Sequence, residues 1–339
     1  MSFINSVSNT IVNRKISVLM AVHNGELYLK EAIESILSQT FSDFEFIIIN
    51  DCSTDDSEII IRSFSDDRIK LYTNNCNLGL TKSLNLGLNL CGGQYIARMD
   101  ADDISHPDRF LKQIKFLDEN LDYGVCGSWY TLFDDSGSIH VAKLIEQHNL
   151  LQASLLIKNQ MGHPTIMLRK SVLDNNNIRY DENLITSQDY NLWLRLSIVC
   201  KLYNIQESLL DYRIHPNQVV SSKKNIAKKY THSGRIIFLQ ELIKSTFSTE
   251  EDVVLYKSYF NQSLSLAELK ILKNVYENVR SNSNVRELYD DICIKKVFNQ
   301  RFKHTLRIQM KYKGITNWRY LKFYVQNDII GLIKSFLHK

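Results

Sequence analysis

Three carboxylates stand within four residues, Asp100, Asp102 and Asp103, at the end of the stretch QYIARMDADD. Like charges this close repel and cannot all stay ionised cheaply. A divalent cation relieves the repulsion. Hard oxygen ligands suit Mg²⁺ or Mn²⁺, and Mg²⁺ shares its shell between carboxylates and substrate phosphates. The same spacing also fits a solvated acidic turn in which Asp102 or Asp103 caps the next helix. Two absences favour the metal. The turn after the first apolar run is His23-Asn24-Gly25-Glu26, not G-x-G-x-x-G, and no G-x-x-x-x-G-K-[ST] occurs. Phosphate binding then falls mainly to a metal. A further acid, Asp189, lies in SQDYNLWLRLSIV, a helix start with Ser187 as its cap. Asp189 and Trp193 are four apart and share a helix face, an arrangement suited to a sugar. An acid in a first helical turn is also stabilised by the helix dipole alone.

The first hundred residues supply elements to position these groups. Ile16–Val22 and Phe44–Ile49 are continuous apolar runs, as expected of strands buried on both faces. Tyr95–Met99 is a strand leading into the acids. A short strand is expected over Arg68–Tyr72 and helices over about Glu26–Ser38 and Leu80–Leu90, with another, capped by Ser53 or Thr54, ending at Ile61. This alternation predicts an α/β fold, a mainly parallel sheet with helices on both faces. Ligands of such sheets lie beyond the carboxyl ends of the strands. His23, Asn24, Asp51, Asp100 and Asp102 all follow strands and converge on one edge. Alone, Asp51 reads as a turn residue with a local backbone hydrogen bond.

The composition permits a large core: 339 residues, 44% hydrophobic, net charge +4. None of the six cysteines forms a C-x-x-C pair, so zinc-ribbon and redox motifs are not indicated, and scattered cysteines fit a reducing compartment. The opening MSFINSVSNTIVNRK does not read as a signal peptide, and no stretch approaches the ~20 apolar residues of a membrane span. The expectation is a cytoplasmic protein.

The runs SVLMAVHNGELYLKEAIESILSQTFSDFEFIIINDCSTDDS and NLGLTKSLNLGLNLCGGQYIARMDADD resemble a family-2 glycosyltransferase of GT-A fold, of the bacterial polysaccharide or O-antigen type. The likeness resumes at GHPTIMLRKSVL, SQDYNLWLRL and YRIHPNQVVSS. It implies a catalytic domain over residues 1–222, with a nucleotide-sugar half over about 15–108 and an acceptor half over 109–222. It implies that Ala21, His23 and Asn24 line the nucleoside pocket and that Asp51 reads the base, usually uracil. Asp100 and Asp102 match D-x-D, with ribose or metal for the first and metal for the second. Lys82 and Arg98 lie near the donor segments as candidate phosphate partners. His163 borders the acceptor pocket with Trp193, and Asp189 is the catalytic base. Family members often carry Glu-Asp where this chain has Gln188-Asp189. His215, in YRIHPNQ after two expected short strands, is a candidate for the metal or diphosphate, or shapes a turn beside Pro216.

The implied reaction moves a hexose from a nucleotide sugar, a UDP-hexose, with Mn²⁺ or Mg²⁺. A metal stabilises charge on a leaving diphosphate, and a positioned base takes the acceptor proton. One carboxylate with no opposing nucleophile implies a single displacement and inversion. The acceptor expected is an undecaprenyl-diphosphate-linked glycan, met by a peripheral enzyme on the inner face of the plasma membrane. Two rival enzymes fit less well. A nucleotidyltransferase wants a glycine-rich basic loop after strand one, and an aspartyl-phosphate phosphatase carries D-x-D on its first strand. A non-catalytic basic adaptor would not retain Asp51, Asp100, Asp102 and Asp189 together. Residues 223–339 read as helical. From Lys295 to Lys339 there are eleven Lys/Arg against one acid, Asp328, interleaved with Phe298, Phe302, Tyr312, Trp318, Tyr320, Phe323, Tyr324 and Phe336. Such a segment suits an anionic membrane face, or packs on the catalytic domain. Nucleic acid is not the expected partner.

Overall fold

The computed structural model describes residues 14–215, 224–313, 322–323 and 326–327. The apolar runs form the expected strands: β1 (Ile16–Val22), β2 (Phe44–Asn50) and β4 (Tyr95–Met99), with β3 (Ile69–Thr73) on the edge. β1 pairs in parallel with β2 and β4, and β2 with β3. The remaining strands are β5 (Ile104–Ser105), β6 (Tyr123–Asp134), β7 (Gly137–Ala142), β8 (Met167–Arg169) and β9 (Lys201–Arg213). Sheet order is β3-β2-β1-β4-β8-β6-β9-β5, with β7 paired to β6. β8 runs antiparallel to both β4 and β6, so the sheet is mixed. Strand order reverses between β1 and β4, the place where an open sheet leaves a crevice.

Alternate residues of these strands point to opposite faces. Val18, Met20, Phe46 and Ile48 meet α1 (Leu29–Leu37) and α4 (Arg109–Glu119) through Ile33, Ile36, Phe110 and Ile114. Leu19, Ile47, Ile49 and Ile96 meet α3 (Leu80–Leu90), α5 (His148–Leu155) and α7 (Gln188–Leu196). Two other short helices are α2 (Ser57–Arg62) and α6 (Lys170–Asn175). Each fully buried aliphatic side chain contributes about 1.5–3 kcal/mol.

Three local expectations are corrected. α2 starts at Ser57, and neither Ser53 nor Thr54 caps it, because both are bonded to Asn24 in the facing loop. Ser187 occupies the N-cap position of α7 as expected, but it is left-handed (φ 62°) and its hydroxyl bonds Thr231 at 2.6 Å instead of a helix N–H. The two short strands before His215 are one strand, β9, whose register against β6 shifts near Trp129. The extra residues at such bulges bend a strand and hide its continuity in sequence.

Beyond residue 223 the chain is helical: α8 (Lys224–Ile243), α9 (Thr249–Tyr259), α10 (Leu266–Ser281), α11 (Ser283–Leu288) and α12 (Asp291–Lys313). Ser248 and Ser265 form reciprocal caps with Glu251 and Glu268. Leu239, Leu269, Phe298 and Leu306 join the same apolar cluster as Leu19 and Ile96. No helix among the described residues is long and apolar enough to cross a membrane. Most of the proposed amphipathic tail, including Trp318, Tyr320, Tyr324 and Phe336, lies outside the described residues. Phe323 is described; it is half-buried and packs edge-on against Phe302, centroids 6.3 Å apart.

Candidate active site

β4 delivers the acids to the crevice. Asp100, Asp102 and Asp103 each present an oxygen, all within 4.8 Å of one another. None caps a helix, since α4 begins at Arg109. The two-residue β5 explains why the acids stay clustered. It pairs Ile104 with Asp211 and Ser105 with Leu210, drawing the end of β9 across them. The Arg213 N–H then donates to Asp103 Oδ1 at 2.9 Å, and Arg213 Nε donates to the Asp102 carbonyl at 2.9 Å. His215 Nε2 lies 3.0 Å from Asp102 Oδ2, and its ring packs beside Tyr28. Burial, then the Asp100 charge, pushes the Asp102 carboxyl up, and the same causes push Asp103 well above the usual carboxylate range. Asp103 Oδ2 is buried without a hydrogen-bond partner. A crowded, all-carboxylate set with an unpaired buried oxygen fits a hard divalent cation. His215 sits at its rim.

Asp51 ends β2 and is buried. It accepts from Asn74 Nδ2 (2.7 Å) and the N–H groups of Leu78 and Gly79 (both 2.8 Å). Burial raises this carboxyl, but the Leu78, Asn74 and Gly79 donors outweigh burial and lower it. Gly79 holds φ 86°, which lets its N–H reach Oδ2 at the start of α3. His23 is exposed, with Nδ1 2.9 Å from the Asp51 carbonyl. The Asn24 side chain is committed to the protein: it is left-handed (φ 53°) and its Oδ1 accepts from the Thr54 N–H at 2.8 Å. Ala21 is partly buried in β1, and Lys82 is exposed in the first turn of α3. Arg98 is buried and ion-paired with Asp100.

Asp189 occupies the first turn of α7, where Asn159 Nδ2 donates to its Oδ2 at 3.0 Å. Burial pushes its carboxyl up, opposed by the Tyr190 N–H and by Arg98. His163 stands on a one-turn 3₁₀ segment, with Nε2 2.8 Å from the Tyr180 hydroxyl. Burial, with the Arg98 charge adding to it, pushes this imidazole well down, so it is neutral at pH 7. Trp193 is placed differently from expectation. It shares Asp189's side of the helix but is completely buried in the core, 6.0 Å from the His163 ring, and presents no surface to an acceptor. Asn74, Asn159, Tyr180 and Arg213 are partners that sequence reading did not single out. Each acts on a site residue at least 17 positions away, a pairing that local spacing does not reveal.

The chain matches the family model described as Glycosyl transferase family 2 over residues 17–176. An uncharacterized glycosyltransferase of Methanocaldococcus jannaschii is 39% identical over 210 residues, 60% of this chain and 71% of that protein. The O-antigen biosynthesis glycosyltransferase WbnJ of Escherichia coli is 38% identical over 207 residues, 59% of this chain and 80% of that protein. In backbone, the chain is similar to S. aureus TarS 1–349 in complex with UDP-GlcNAc. That likeness has TM-score 0.60 and 16% identity, covering 88% of this chain and 91% of TarS 1–349. It is also similar to the mannosyltransferase PcManGT from Pyrobaculum calidifontis in complex with GDP-Man and Mn²⁺, with TM-score 0.54, 11% identity, and coverage of 97% and 89%.

Proposed function

The chain belongs to glycosyltransferase family 2 and has the GT-A fold, and on that premise we propose that it is a metal-dependent, inverting hexosyltransferase using a UDP-hexose. The observation that carries this reading is the three-carboxylate cluster, crowded within 4.8 Å and left with an unpaired buried oxygen. Asp100 and Asp102, with His215 at the rim, hold Mn²⁺ or Mg²⁺, and Asp103 is a third oxygen donor. When bound, such a cation stabilises charge on the departing diphosphate. Asp51, with Ala21 and His23, receives the base; Asn24 shapes that loop. Lys82 and Arg98 lie on the donor side.

Asp189 takes the proton of the acceptor hydroxyl as its oxygen bonds the anomeric carbon and the bond to the diphosphate breaks. Burial raises this carboxyl toward working pH, where a general base is most effective. Neutral His163, held by Tyr180, borders the acceptor. No second carboxylate is assigned to a nucleophile's position, so one displacement inverts the centre.

The acceptor is a glycan linked to undecaprenyl diphosphate, in bacterial surface polysaccharide synthesis. The similarity to an O-antigen biosynthesis enzyme supports this class. The enzyme then works as a cytoplasmic, peripheral protein on the inner face of the plasma membrane. Lys296, Arg307 and Lys311 on the exposed side of α12 suit an anionic surface. Flotation with anionic vesicles, weakened by salt, tests the docking; indifference to such vesicles at low salt overturns it. The function is tested with a panel of nucleotide sugars, with Mn²⁺ or with chelator. Release of UDP from one UDP-hexose, only with metal, is expected. Metal-independent release, or none from any donor, refutes the assignment.

A further inference from the structure

Arg98 is the least explained group in the cleft. It is a β4 residue on the same sheet face as Ile96, 3% exposed. One guanidinium nitrogen, Nη2, is ion-paired with Asp100. The other two, Nε and Nη1, are buried without any hydrogen-bond partner. Guanidinium has five N–H donors and no way to shed its charge, so a buried one with idle donors calls for a missing partner.

Its surroundings say what kind. The Arg98 charge acts on Asp100, Asp102 and Asp103 of the acid cluster and also on Asp189, His163 and Tyr180. It is paired with the acid cluster through Asp100 and lies within electrostatic reach of the carboxylate assigned as base. In a direct displacement, the diphosphate leaves on the cation's side and the acceptor attacks from the base's side. The ring being transferred lies between them. On the reading above, the three clustered carboxylates would hold the cation that meets the diphosphate's charge. With that charge already met, Nε and Nη1 need an acceptor rather than an anion. A hydroxyl oxygen accepts the same hydrogen bonds and adds no charge.

We infer that Nε and Nη1 of Arg98 donate to hydroxyl oxygens of the transferred sugar, making Arg98 a determinant of which sugar is accepted rather than a diphosphate clamp. This rests on the glycosyltransfer reading above. A site built to hydrogen-bond a hydroxyl discriminates strongly against a ligand lacking it, because its buried donors are then left unpaired.

The test compares UDP with UDP-hexoses, titrated calorimetrically with Mn²⁺ into the full chain and into Arg98→Gln. UDP affinity is expected to stay within about threefold of wild type. Affinity for the preferred UDP-hexose is expected to fall about 10- to 100-fold, as for loss of hydrogen bonds from a charged donor. The preference between UDP-glucose and UDP-galactose should narrow. Equal losses for UDP and UDP-hexose, or no loss for either, overturn the inference. Should Arg98→Gln melt far below wild type, Arg98→Lys serves instead. It keeps the charge beside Asp100 but presents its donors from one point, so UDP binding should persist while sugar preference relaxes. Retention of full preference in that variant overturns the inference. If wild type binds neither UDP nor any UDP-hexose, the donor assignment itself falls, and this inference with it.

Discussion

Replacing Asp189 by asparagine separates proton transfer from shape. The amide keeps the size of the carboxylate, and its oxygen still accepts from Asn159 Nδ2, now 3.0 Å from Oδ2. What is lost is the capacity to take a proton. General bases contribute about 10²- to 10⁴-fold, or about 3–5 kcal/mol at 1.36 kcal/mol per tenfold. Burial also sets a sign for stability. It raises the folded pKa above the unfolded value of about 3.9. The folded state then holds the proton across that window, and stability falls as pH rises through it. At pH 7 the ionised carboxylate costs stability, so Asp189→Asn should melt no lower than wild type. The assay is kcat against pH, with UDP affinity measured beside it. Wild-type kcat should climb through a pKa above the ordinary carboxyl range, and the variant should lose that limb with UDP affinity nearly unchanged. Transfer within a few-fold of wild type, or UDP affinity falling instead of kcat, would place Asp189 on the donor side and refute the base assignment.

Asp102→Ala should abolish the Mn²⁺ dependence of UDP binding; calorimetry with and without Mn²⁺ reads this, and an unchanged dependence rejects the metal site. An α-linked donor should give a β-linked product, read from the anomeric proton signal; an α product rejects the single displacement. Asp51→Asn should lower stability by about 1–3 kcal/mol at pH 7, because it leaves one of the donors from Asn74, Leu78 and Gly79 unmatched. The Asp51 carboxyl is lowered, so its contribution is present above the unfolded pKa and lost as pH falls through the folded one; urea midpoints at neutral and acid pH measure it, and an unchanged midpoint at pH 7 counts against a stabilising role for these hydrogen bonds. A chain ending at residue 222 should aggregate, because Leu239, Leu269 and Leu306 belong to the same core as Leu19; cooperative unfolding of a soluble fragment would show the helical region to be dispensable.

The first half of the sheet and its acid cluster were legible because their signals are local. Apolar runs buried on both faces mark β1, β2 and β4, and the polar residue after each run marks the crevice. The D-x-D-D spacing gives the acid cluster directly. The rest depended on what lies opposite. Helical spacing puts Asp189 and Trp193 on one side, but does not say that core residues cover the tryptophan completely. Asp51 reads as a turn residue until Asn74, Leu78 and Gly79 are brought onto it from 23 to 28 positions away. Ser187 has the right residue type for a cap, yet its left-handed backbone turns the hydroxyl toward Thr231. The β9 strand is interrupted in sequence by Gln206-Glu207-Ser208 and continuous in space.

The two halves of the cleft are held by different means, which explains why the helical region shares the core. The donor groups follow strands whose ladder fixes them. Asp189 has no such support. It begins a helix with no side-chain cap, after a non-glycine residue at φ 62°, a conformation that costs on the order of 1–3 kcal/mol unless its surroundings impose it. Those surroundings come largely from α8. Thr231 takes the Ser187 hydroxyl, on one side of Asp189. On the other, Arg235 Nε donates to the Tyr190 hydroxyl at 3.0 Å, and that hydroxyl donates to the Leu155 carbonyl. Arg235 is itself buried, with its guanidinium 3.8 Å from the Tyr259 ring centroid on α9. The residues flanking Asp189 are thus tied to helices lying after residue 223. The helical region is part of what aims the Asp189 carboxylate, and a chain ending at residue 222 would keep Asp51 and the acid cluster on their strands while leaving the residues flanking Asp189 without Thr231 and Arg235.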